Sequence, residues 1–176
     1  MGAIMWRMVK SLFVHLPLML LALGAIYFVC QGHESLSQVI REQYRGSSSK
    51  ALLTVLGDAR GDLMKWTFVG FAASWLASCL FLASAERARP ANENEAGSKL
   101  GLWSFLLIAT IAALAAYGWV SLTRAQASLL PGTFMASLLI SGLAVLAAYY
   151  LSTALMVRRV MRPSVPLAAG LPARWS

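Results

Sequence analysis

Four stretches of the chain run apolar for about 20 residues, the length a helix needs to cross a bilayer. They lie at about 11–30, 66–85, 103–122 and 135–157. No Asp, Glu, Lys, Arg, Asn or Gln interrupts any of them. The pattern predicts an all-α integral membrane protein with four transmembrane helices. Residues 1–176 form one membrane domain, divided by a first loop 31–65, a second loop 86–102 and a tail 158–176.

The first loop has a pattern of its own. Leu36, Val39, Ile40 and Tyr44 recur at helical spacing, with Arg41, Glu42 and Arg45 off that face. Gly46 and three serines break the run. A second stripe, Leu52, Val55, Leu56, Ala59 and Leu63, leads towards Trp66 and can be continuous with the second span. Two short amphipathic helices are expected here. They have three readings: lying on the membrane surface, capping the bundle, or docking onto a partner. The second loop reads as a polar hairpin around Pro90 and Gly97. The tail carries three prolines, so it is expected to be unstructured or to bind a partner in extended form.

Composition agrees with the membrane class. The 176-residue chain is 59% hydrophobic and 12% charged, with a mean hydropathy of +0.65. Soluble domains are closer to 45–50% apolar and about 25% charged. The net charge of +8 is not read as a nucleic-acid signal. Its basic residues flank apolar segments, where they set orientation and meet anionic headgroups.

Charge also orients the spans. Arg7, Lys10, Arg87, Arg89, Lys99, Arg158, Arg159, Arg162 and Arg174 lie on one side. Arg41, Arg45, Lys50, Arg60, Lys65 and Arg124 lie on the other. The positive-inside rule then predicts both termini in the cytoplasm and loop 31–65 outside. Trp66 and Trp103 open their spans, as interfacial aromatics do. The first stretch is too long for the usual ~7–15-residue core of a signal peptide, and no A-x-A site follows it, so it counts as a span. The expected location is a bacterial inner membrane.

Candidate chemistry is sparse. His15 sits five residues after Lys10, about 7.5 Å along a helix axis. That spacing puts it near the cytoplasmic interface, with an interfacial or inter-helix hydrogen-bonding role favoured over a catalytic or ligand one. His33 is about 27 Å further along, too far to share a metal with His15. Asp58 and Asp62 share a helical face but are too few for a cation site. Cys30 and Cys79 form no CxxC and read as small packing residues. No cofactor or metal site is predicted. Thr67, Thr110 and Thr153 can bond back to their own helices.

Small residues recur every fourth position: Gly70, Ser74 and Ser78; Ala109 and Ala113, with Ala112 and Ala116; Ser137 and Ser141, then Ala144, Ala148 and Ser152. Such stripes let helices approach closely. They pack either one bundle internally or several subunits together. With no acid inside a span, ion-coupled transport is disfavoured.

The functional expectation is therefore a non-catalytic structural, accessory or assembly subunit of a larger membrane complex, of the secretion, conjugation or respiratory kind. Its partners would be the lipid bilayer and other membrane subunits or further copies of itself, with no nucleic acid. The alternative is a small homo-oligomeric transporter or channel. A lipid-modifying enzyme using His15, His33 or Glu34, and a toxin-immunity protein, rank below both.

Overall fold

A computed structural model describes residues 2–43, 49–88, 96–122, 131–157 and 159–168. Side chains are described over 5–31, 60–88, 96–118, 135–157 and 161–168. The chain is all-helical: α1 (Gly2–Gln43), α2 (Ser49–Arg87), α3 (Leu100–Leu122) and α4 (Pro131–Met156), then a 3₁₀ segment Arg159–Ser164. Each of the four helices contains a stretch long and apolar enough to cross a membrane: Met5–Gln31, Arg60–Arg87, Leu100–Gly118 and Met135–Met156. Proline opens α4, where the ring needs no hydrogen-bond donor.

The first two helices are longer than the apolar pattern alone predicts. No proline occurs between Pro17 and Pro90. Once started, a helix gains one backbone bond per added residue. The backbone of 32–43 therefore continues α1, and that of 49–59 leads α2, through Gly57 and Gly61. Separate short helices are not what stands there. The side chains of Leu36, Val39, Ile40, Leu52, Leu56 and His33, and all of Tyr44, lie outside the described residues.

Helices α1, α2 and α4 pack against one another, while α3 leans mainly on α2. The core has a large cluster at one end, built on Phe81, Trp103, Tyr149 and Val157. A second joins Ala22, Trp66, Phe71, Leu114 and Val145, and a third joins Ile26, Cys30 and Leu63. Both cysteines are buried, and neither forms a disulfide.

One sequence expectation changes here. The tail is not unstructured over 159–168. Met161, Val165 and Ala168 are buried in the large cluster, because a 3₁₀ segment this short accommodates Pro163 while presenting apolar side chains to the bundle end. Trp66 and Trp103 point into the bundle. Both are buried, and each indole N–H finds a partner on another helix, as a buried indole must. Trp66 Nε1 donates to the Leu114 carbonyl at 2.9 Å. Trp103 Nε1 donates to Thr153 Oγ1 at 3.0 Å, and Tyr149 Oη returns a bond to the Trp103 carbonyl at 2.9 Å.

Gly70 sets how closely α2 approaches its neighbours. A Cβ there would stand 2.5 Å from Leu114 Cδ2 and 3.2 Å from Val145 Cγ2. Gly24 has open space around it. Gly70→Leu should cost about 1–3 kcal/mol through overpacking, whereas Gly24→Ala should be neutral or slightly stabilising. Unfolding midpoints in mixed micelles check the pair.

Candidate functional site

The polar groups inside the bundle gather along the α1–α2–α4 interface. Their sequence spacing explains why. Ser11 and His15 are four apart on α1, as are Ser74 and Ser78 on α2 and Ser137 and Ser141 on α4. Each pair therefore occupies one helical face, and all six residues are buried.

Three cross-helix bonds form a row. Thr67 Oγ1 and Ser141 Oγ are 2.7 Å apart. His15 Nε2 and Ser74 Oγ are 3.1 Å apart. Ser152 Oγ donates to Ser78 Oγ at 2.8 Å. The threonines also bond back to their own helices: Thr67 to Leu63 O, Thr110 to Leu106 O and Thr153 to Tyr149 O, each at 2.8 Å.

His15 is the ionisable member. Its Nδ1 lies 2.9 Å from the Ser11 carbonyl, so that nitrogen carries a proton and donates. In the neutral ring, Nε2 then accepts from the Ser74 hydroxyl. In the protonated ring, Nε2 donates to Ser74 Oγ, whose own proton can reach the Val145 carbonyl at 3.3 Å. The same three residues thus satisfy either protonation state. Phe71 closes the site with its ring edge-on, 6.5 Å from the imidazole.

The level of His15 in the bundle follows from the contacts of Arg7. Arg7 Nη1 donates to the Met156 carbonyl at 2.8 Å and lies 3.8 Å from Glu86 Oε2. Arg7, Glu86 and Met156 therefore mark one level, the end of the bundle where α1 starts and α4 finishes. His15 is roughly 12 Å further along α1, and Ser74 and Val145 are roughly 17–18 Å from that level on α2 and α4. The Lys10 side chain turns back towards the helix start, with Nζ 5.5 Å from the Trp6 ring centroid.

The small-residue stripes divide into two kinds. Gly70, Ser74 and Ser78 on α2, and Ser137, Ser141 and Ala148 on α4, face the interior. Ala109 and Ala113 on α3, with Ala112 and Ala116, are exposed. Among the described residues of α3 the buried ones are a narrow stripe, Trp103, Thr110, Leu114 and Gly118. Gly118 admits Trp66, whose Nε1 would be 3.1 Å from an added Cβ.

Among the described residues no group of three or more His, Cys, Asp or Glu comes together, and no carboxylate stands by His15. Sequence spacing brought out the stripes but not the partners of His15, Trp66 and Trp103, which depend on which helices adjoin. In comparisons with known proteins, the chain matches no family model, no curated protein and no solved structure.

The His15–Ser74 pair should be energetically coupled. A double-mutant cycle with His15→Ala and Ser74→Ala is expected to give about 0.5–2 kcal/mol, the range for hydrogen bonds between membrane helices. Unfolding free energies of the four proteins in mixed micelles provide the measurement. Additive losses would show that the two side chains act independently.

Proposed function

We propose that this protein is a non-catalytic structural, accessory or assembly subunit of a larger membrane complex. The observation that supports this reading is the outward face of α3. That helix meets its own bundle along one edge and turns Ala109, Ala112, Ala113 and Ala116 away from it. Lipid alone needs no small residues there. Small side chains on an exposed membrane face favour close approach by another helix. An apolar cleft of about 310 Å³ between α3 and α4, backed by Trp66 and Leu114, adjoins this face.

The proposed partner is a transmembrane helix of another subunit. The proposed setting is a bacterial inner membrane, with both termini on the cytoplasmic side, where nine of the basic residues would then lie.

The second reading, a homo-oligomeric transporter or channel, draws on the buried row of Thr67, Ser74, Ser78, Ser141 and Ser152. In that row the hydroxyls bond to residues of neighbouring helices, so a path would have to form between copies.

Extraction from the native membrane in a mild polymer, followed by native mass determination, separates the two. The subunit reading expects stoichiometric foreign chains, lost on Ala109→Leu/Ala113→Leu while the unfolding midpoint stays put. A clean homo-oligomer with substrate flux in liposomes would replace it with the transporter reading. A partnerless monomer would overturn both.

A further inference from the structure

A second cleft opens at the end of the bundle marked by Arg7 and Met156. It lies between α1 and α4, has a volume of about 460 Å³, and is lined by Lys10, Phe13, Val14, Leu155 and Met156. Four of these side chains are apolar and the fifth is a cation. Volumes of roughly 300–1,000 Å³ are typical of small-molecule sites.

The charges around the cleft are unequal. Glu86, the carboxylate at this level, faces Arg7, and Arg7 also holds the Met156 carbonyl. Among the described residues no carboxylate forms an ion pair with Lys10. Its ammonium rests over the Trp6 ring, and Trp6 is itself exposed. A tryptophan and a snorkelling lysine together are what the headgroup level of a bilayer selects. Below them, Phe13 is 68% exposed and lines the cleft.

We propose that this cleft binds one anionic phospholipid. The phosphate meets Lys10 beside Trp6, and an acyl chain lies between Phe13 and Val14 of α1 and Leu155 and Met156 of α4. The occupant is a lipid because the apolar lining belongs to two helices long and apolar enough to cross a membrane. It is anionic because the mouth carries an ammonium that no carboxylate among the described residues pairs.

The test is native mass spectrometry of the full chain from micelles supplied with equal phosphatidylglycerol and phosphatidylcholine. The wild type should retain one phosphatidylglycerol about fivefold over phosphatidylcholine, the effect expected of one lysine near a membrane surface. Lys10→Gln should bring that ratio to parity, and Lys10→Arg should keep it. Leu155→Trp, which fills the cleft, should lower retention of both lipids. Lys99→Gln is the control for diffuse attraction and should change nothing. Equal retention of the two lipids by the wild type would overturn the proposal. So would an unchanged ratio in Lys10→Gln, or an equal fall in Lys99→Gln.

Discussion

Inside hydrocarbon a polar side chain has no water to bond with, so it must find its partner in protein. In this chain that constraint is met chiefly between α1, α2 and α4. Thr67 meets Ser141, His15 meets Ser74, and Ser78 meets Ser152. Each bond is short only if the backbones are close, and Gly70 allows that approach. Close packing and polar satisfaction are therefore one requirement here. Contacts between apolar side chains tolerate sliding, because lipid tails are as apolar as leucine. Hydroxyl and imidazole partners do not, so they fix the register of the three helices.

The fourth spanning helix, α3, is held differently. Its attachment depends on aromatic donors. Trp66 reaches the Leu114 carbonyl through the gap left by Gly118, and Trp103 reaches Thr153. The rest of α3 faces outward. The bundle thus has a tightly registered three-helix part and a helix bonded on along one edge. The same asymmetry gives α3 its free small-residue face.

Four spans were legible in the sequence because the run of apolar residues is set by bilayer thickness, a one-dimensional property. The stripes at Gly70–Ser74–Ser78 and Ser137–Ser141 were legible for a similar reason, since helical spacing follows from the sequence alone. What those stripes touch was not legible. Nothing local says that the stripe on α2 faces inward while Ala109–Ala113 faces outward. That depends on which helices adjoin. The acceptors that Trp66 and Trp103 find on other helices were not legible for the same reason. The folding of 159–168 onto the bundle was hidden by its prolines, which argue against an α-helix but not against a 3₁₀ turn packed on an apolar cluster.

The bond from Arg7 to Met156 spans 149 residues of sequence, and those of Ser74 to His15 and to Val145 span 59 and 71. A chain made from its N-terminus presents these groups in that order. When α1 enters the membrane, Met156 does not exist yet. Ser74 arrives with α2 and gives His15 its cross-helix partner early. Arg7 must wait until α4 has been synthesised. The first helix therefore joins the second well before it is locked by α4. Assembly of this bundle is a timed event, with the earliest helix as its final point of closure.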